Sequence, residues 1–190
     1  MEFFKKRSGA ILVFFAVVIL SSIFAANRSL GGRVREINDM FSEGVYGLDG
    51  YRLPSIKRQL EERGKASNLL VGVGLNYPEA STETEALREA RTQLINGLEN
   101  SVGAGILYDF NQELDAAFYA LHGKLETLAL SERDRVTAED ALNTWKNTAL
   151  LIQRSRYNET VREFNREVLS VFPTNLVMKF AFVDPPELFE

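Results

Sequence analysis

The hydrophobic pattern opens on a run with no charge at all. Residues 9–26 (GAILVFFAVVILSSIFAA) are 18 apolar or small side chains in succession. With Phe3 and Phe4 beside it, the run approaches the ~20 residues that carry a helix across a hydrocarbon core. Backbone groups in lipid must be paired internally, so the run predicts a transmembrane helix. Lys5, Lys6 and Arg7 precede it, and Arg28, Arg33 and Arg35 follow. The N-terminal cluster is denser, which favours the N-terminus inside and the domain on the extracytoplasmic side. A cleaved secretory signal is the competing reading. The run is longer than the usual ~7–15 residues, and a cut after Ala26 or Ala25 would place Phe24 or Ile23 at the minus-three position. An uncleaved, single-pass signal anchor is therefore favoured.

Beyond the anchor the apolar positions recur at helical spacing. Val34, Ile37, Phe41, Val45 and Leu48 form a juxtamembrane stripe that Gly44, Gly47 and Gly50 weaken into a turn or hinge. Pro54 suits the start of a new helix over residues 55–77, striped by Ile56, Leu60, Leu70, Val73 and Tyr77. Gly64, Gly72 and Gly74 within it predict close helix–helix packing. Gly72-Val73-Gly74 is not a dinucleotide loop, because the third glycine of that fingerprint would fall at Tyr77 and no strand precedes it. Tyr77-Pro78 ends the helix, and Thr82 with Glu85 has capping-box spacing. Leu87, Ala90, Leu94 and Leu98 follow. Residues 100–105 interrupt as a kink or a tight turn, and the stripe resumes at Phe110, Leu114, Ala117, Leu121, Leu125 and Leu128.

After a charged connector at residues 131–135, Thr137 with Asp140 is the expected cap of a last helix. Its stripe is Leu142, Trp145, Ala149, Ile152, Tyr157, Val161, Phe164, Val168 and Val171. The mean step of about 3.6 predicts one nearly straight helix, roughly 50 Å long, stopped at Phe172-Pro173. The tail carries Leu176, Val177, Met178, Phe180, Phe182 and Val183. It is too apolar to hang in water and is expected to fold back over the end of a bundle. The lesser reading is insertion into a membrane surface or a partner, and the presence of a single cation among these residues, Lys179, weakens the membrane version. The fold class is therefore all-α: an N-terminal transmembrane helix followed by an elongated antiparallel helical bundle with a long straight C-terminal helix. The expected divisions are a basic tail (1–8), the anchor (9–26), a juxtamembrane helix and Gly-rich turn (27–54) and the bundle with its tail (55–190).

Composition narrows the chemistry. A net charge of -4 argues against a nucleic-acid surface. With no cysteine there is no disulfide, lipidated cysteine, thiolate nucleophile or Cys-based zinc site, and one histidine, His122, rules out a multi-His site within one chain. His122 reads as a boundary or surface residue. Asp109 and Glu113 lie one turn apart, but a di-metal bundle would add Glu-x-x-His, and Ala116 stands three after Glu113. No catalytic, cofactor-binding or metal residue is assigned.

Arg154, Tyr157-Asn158, Val161, Asn165, Phe172-Pro173, Asn175-Leu176-Val177, Lys179 and Phe189-Glu190 form an ordered pattern in the C-terminal portion. That pattern resembles the ending of the LemA family of bacterial membrane proteins. QLEERGKASNLLVGVGLNY (59–77) and residues 85–94 are similar, more weakly, to its middle. A Gly-rich stretch replaces the family's Ala-Trp and Asp-Val signature near residues 40–51, and Ser-Glu-Arg-Asp replaces its Tyr-Pro turn near Leu130, as in a divergent member. The resemblance implies a helical bundle on a membrane anchor and brings no catalytic residues. Tyr157, Val161, Phe164 and Val168 have a packing explanation on the core stripe. Asn158 and Asn165 share one side, where they bridge helices, bond a passing backbone or face solvent. The leading expectation is a non-enzymatic, membrane-tethered bundle that docks a partner protein or organises an envelope complex, compatible with a homo-oligomer. The alternative is a membrane-proximal sensor for a small molecule or peptide, with helix glycines lining a cavity.

Overall fold

The computed structural model describes residues 7–45, 52, 54–172, 174–180 and 182–190. Their regular structure is helical: α1 (Arg7–Ser42), α2 (Ile56–Gly74), a 3₁₀ turn (Pro78–Ala80), α3 (Ser81–Glu99), α4 (Ala104–Glu126), α5 (Glu132–Gln153), α6 (Tyr157–Phe164), a π turn (Asn165–Leu169) and α7 (Thr174–Phe180). The expected all-α class, with a long apolar N-terminal helix and several helices packed together, is what the chain adopts. Two compact units divide it, one formed by residues up to Asn38 with Glu159–Pro186, the other by Asp39–Asn158 with Glu187–Glu190.

The larger unit is built around α2. This helix packs most closely on α5 and α3, and α3 packs on α4. The connections are short, so successive helices run antiparallel. Residues 100–105, open between kink and turn, make a turn, with Ser101 in the left-handed region at φ 52°. α2 comes close to α3 because its facing side chains are small. A Cβ at Gly64 would lie 2.8 Å from Ile95 Cδ1, and one at Gly74 would collide with Thr84. Gly72 is different: it faces open space and takes no part in the packing. Large side chains fill the remaining core, with the rings of Phe118 (α4) and Trp145 (α5) stacked 3.9 Å apart between centroids.

Caps fix the ends. The Ser55 hydroxyl accepts from Arg58 N–H at 3.1 Å and donates to the Ser42 carbonyl at 2.7 Å, joining the start of α2 to the end of α1. Pro54 therefore precedes the N-cap rather than opening the helix. At the other end of α2, the Tyr77 hydroxyl donates to Asp134 (2.9 Å) and accepts from Ser131 N–H (2.8 Å).

Three expectations are corrected. α5 starts at Glu132, capped by Ser131, whose Oγ accepts from Asp134 N–H at 3.2 Å. Thr137 lies inside the helix and donates to the Arg133 carbonyl. The Thr82–Glu85 box does not form, because the 3₁₀ turn runs straight into α3 and Ser81 is already helical at φ -59°, ψ -38°. The long straight final helix is broken. α5 ends at Gln153, Ser155 N–H closes a tight turn on the Ile152 carbonyl, and Arg156 takes the left-handed φ of 58°. The physical reason lies in the stripe. The step from Ile152 to Tyr157 is five residues, which on an unbroken helix would rotate Tyr157 far off the buried face. Breaking the helix returns Tyr157 to the core, where it is buried.

The smaller unit contains the apolar turns of α1. Residues of this helix from Ile11 to Phe24 stand exposed apart from the partly covered Ile23, and they include Phe14, Leu20 and Phe24. The helix is long and apolar enough to cross a membrane, and none of its apolar window is buried within the protein. The apolar turns and the polar turns that follow them form one uninterrupted helix to Ser42. Near its far end Arg33 pairs with Glu167 at 2.8 Å and lies 5.5 Å from the Phe164 ring centre.

Gly74→Leu is expected to lower stability by about 1–3 kcal/mol through overpacking against Thr84. Gly72→Ala, with open space around it, should raise stability by roughly 0.5–1 kcal/mol. Thermal unfolding of the full chain in detergent micelles, followed by circular dichroism, checks the pair; equal shifts would overturn the packing assignment.

Candidate functional site

A guanidinium lies in the middle of the bundle. Arg63 occupies the buried stripe of α2 between Leu60 and Ser67, with only 4% of its surface exposed. Its Nε donates to Thr148 Oγ1 at 3.2 Å, and its Nη1 donates to Asn111 Oδ1 at 2.7 Å and Asp115 Oδ1 at 3.2 Å. The same Asp115 oxygen accepts from Trp145 Nε1 at 2.7 Å. The guanidinium carbon sits 4.5 Å from the Trp145 ring centre. Burial pushes the Arg63 pKa below its ordinary value, and Asp115 works against that shift. A desolvated charge of this kind is tolerable only when paired and hydrogen-bonded, and here α2, α4 and α5 each contribute to holding it.

Beside this cluster an open cleft of about 560 Å³ runs between the start of α2 and the end of α5. Arg52, Arg58, Glu43 and Glu62 give it both signs of charge, and Asn147 and Thr144 give it neutral hydrogen-bonding groups. It adjoins the Gly-rich stretch, most of which (46–51) lies outside the described residues. A second cleft, also about 560 Å³, has His122, Leu125, Leu130, Arg135 and Leu142 on its walls. His122 sits at the edge of the core, stacked on Phe118 with Nδ1 3.7 Å from Glu126. Asp109 and Glu113 are both exposed on α4. Among the described residues, no group of three or more His, Cys, Asp or Glu is placed to hold a metal.

The motif residues of the C-terminal stretch separate into two sets. Tyr157 and Asn158 converge on the chain end. Asn158 Nδ2 donates to the Phe189 carbonyl at 2.7 Å, and its Oδ1 accepts from Phe189 N–H at 2.8 Å. The Tyr157 hydroxyl donates to the Glu187 carbonyl at 2.7 Å. Phe189 is buried, with its ring against Phe41 and Tyr108. Among the readings open for Asn158, the bond to a passing backbone is the one realised. Burial, and secondarily Glu187, pushes the Tyr157 phenol up to about 12. Val161 is buried with Phe164 and Val168, and Arg154 caps the end of α5. Asn165 begins the π turn, its buried Oδ1 without a hydrogen-bond partner.

The second set stays open. Phe172 is exposed, Leu176 is half exposed, and Val177 is partly covered. Pro173 and the Asn175 side chain lie outside the described residues. The expected fold-back of the tail holds for Met178, which is buried, and fails for Phe180 and Phe182. Seven residues of α7 make under two turns, too short to turn every apolar side chain inward.

The Arg63 cluster was not anticipated, although the sequence holds a signal for it. Arg63, Asn111 and Thr148 each fall at helical spacing on an apolar stripe, where a polar side chain needs a buried partner.

Asp115→Ala should cost roughly 3 kcal/mol by stranding the guanidinium, and Arg63→Met with Asp115→Ala should recover most of that loss. Denaturant titration of the two variants measures both. Tyr157 gives a pH prediction. Its folded pKa is raised above the unfolded ~10, so the folded state holds the proton more tightly and stability falls as pH rises from about 10 to about 12. Tyr157→Phe should flatten that fall in melts recorded across the window. No family model matches this chain, and searches of the curated proteins and of the solved structures return no similar protein.

Proposed function

We propose that this chain is a non-enzymatic, single-pass membrane protein of the LemA type, whose helical bundle docks a partner protein at an envelope membrane. One observation carries the reading: α1 leaves its apolar turns wholly unburied and continues without a break to Phe41, which packs on Tyr157 and Phe189. Exposing that much hydrocarbon to water is costly, and a bilayer removes the cost.

The cleft between α2 and α5 is the proposed docking surface. Its mixed charges suit a polar peptide segment of a partner better than a flat apolar interface. Sidedness follows the basic residues: Lys5, Lys6 and Arg7 on the inner flank, and a counter-cluster whose Arg33 is already paired with Glu167. The same cleft supports the sensor reading, since its size and hydrogen-bonding groups also suit a small polar ligand.

Photo-crosslinking from Asn147 in native membranes is expected to capture one reproducible protein and to lose it with Arg58→Glu, while protease added to spheroplasts should digest the bundle. A cleft that captures no protein, yet raises the melting temperature with a polar metabolite fraction, would overturn docking in favour of sensing.

A further inference from the structure

We infer that residues 171–182 form a second membrane contact, lying in the headgroup–acyl boundary of the bilayer that α1 crosses. The inference rests on reading α1 as a membrane anchor.

The first observation is composition against exposure. Between Val171 and Val183 the only charged residue is Lys179. Within that stretch Phe172 is 77% exposed, Phe180 56% and Phe182 91%, with Val171 and Leu176 each 45% exposed. Single exposed apolar residues need no explanation, but five in one short segment mark an interaction surface. With one lysine, the attraction to the headgroup–acyl boundary would be chiefly apolar rather than electrostatic.

The second observation is where the segment is pinned. It leaves α1 at Arg33, through the Glu167 ion pair and the Phe164 ring. It returns at Gly31, where Val183 Cγ2 lies 4.0 Å from the position a Cβ would take. Gly31 is five residues past Ala26, the end of the uncharged run, so it sits about 7.5 Å further along the axis. The polar layer of a bilayer is about 5–7 Å thick on each side. The return point is thus at the outer edge of that layer, and it lies closer to the apolar turns than the departure point does. Arg33 lies two residues further out, so two contacts with the membrane helix itself hold the ends of the segment at the membrane surface, and the exposed rings between them are what would reach the boundary.

The third observation is how α7 ends. Phe182 has φ 53°, in the left-handed region that an aromatic side chain rarely occupies. Its N–H bonds the Lys179 carbonyl at 3.4 Å and Val183 N–H bonds the Met178 carbonyl at 3.5 Å, the pair of bonds that closes a helix C-terminus. This cap fixes the Phe182 backbone and leaves its ring 91% exposed.

The absence of native cysteine allows single labels on the full chain. Phe182→Cys, Phe14→Cys and Glu132→Cys variants, each carrying an environment-sensitive fluorophore, would be reconstituted in vesicles of phosphatidylcholine with phosphatidylglycerol. Quenching by nitroxide lipids labelled at different depths gives the readout. The Phe14→Cys label should be quenched by deep nitroxides. The Phe182→Cys label should be quenched several-fold more than the Glu132→Cys label, and best by shallow nitroxides. Quenching at Phe14→Cys with Phe182→Cys no different from Glu132→Cys would overturn this inference and leave the anchor intact. No quenching at Phe14→Cys would overturn the anchor and the inference with it. A Phe182→Cys label shielded from lipid but readily crosslinked to its own copy would overturn the inference in favour of self-association. Because the labelled positions are exposed, these variants are expected to fold, and circular dichroism verifies that they do.

Discussion

A single buried guanidinium sets the register of the bundle. Once Arg63 is placed inside, its donors need acceptors at fixed distances, and Asn111, Asp115 and Thr148 supply them from two other helices. Sliding α4 or α5 by one turn would move those groups by about 5.4 Å and leave the charge unpaired. Leucine stripes alone tolerate such slips, because one leucine replaces another. Polar groups do not. Trp145 tightens the arrangement, since it stacks on Phe118, covers Arg63 and donates to Asp115 at once. The small residues of α2 complete it: Gly64 and Gly74 admit α3 closely, and the wide side is filled by rings.

The membrane reading places a second constraint on the other compact unit. A helix that has unburied apolar turns and also carries Arg33 for the Glu167 pair connects the interfacial chemistry to residues far along the sequence. The Arg33 guanidinium holds the Glu167 carboxyl below its ordinary value, so the pair persists through the neutral range. Both partners are about half exposed, and such a pair contributes little stability by itself. Its value is positional: it fixes which face of α1 the π turn follows. In the π turn the Asn165 carbonyl accepts from Ser170 N–H at 3.0 Å, while the buried side-chain Oδ1 of Asn165 has no hydrogen-bond partner.

Much of the architecture was legible because periodicity survives averaging. The apolar run and the α2, α3 and α4 stripes follow from spacing, and the break ahead of Pro78 follows from proline, although α2 already ends at Gly74 and leaves Tyr77 extended. The errors have equally specific causes. Averaging eight steps to about 3.6 concealed the five-residue step between Ile152 and Tyr157, where the helix breaks. Two serine or threonine caps six residues apart competed at the start of α5, and Ser131 prevails because Tyr77 also binds it and Asp134. The Arg63 cluster was hidden by treating stripes as lists of apolar residues, although three polar positions fell on them. The link from Asn158 to Phe189 could not be read, because it joins residues 31 apart through backbone atoms that leave no trace in composition.

The contrast between Phe189 and Phe182 bears on what the C-terminal stretch does. The two phenylalanines are seven residues apart, and one is 4% exposed while the other is 91% exposed. A shortage of core cannot explain the difference, since Phe189 finds Phe41 and Tyr108, and Asn158 closes its backbone. Between them stand Asp184, Pro185 and Pro186, where proline removes two backbone donors and stiffens the chain. That spacer separates a terminus locked by the bundle from a segment with its rings turned outward. An apolar strap selected only to close a bundle would bury its largest rings first. This chain buries Met178 and Phe189 and leaves Phe172, Phe180 and Phe182 uncovered, which is the pattern expected when the remaining solvent for those rings is lipid rather than protein.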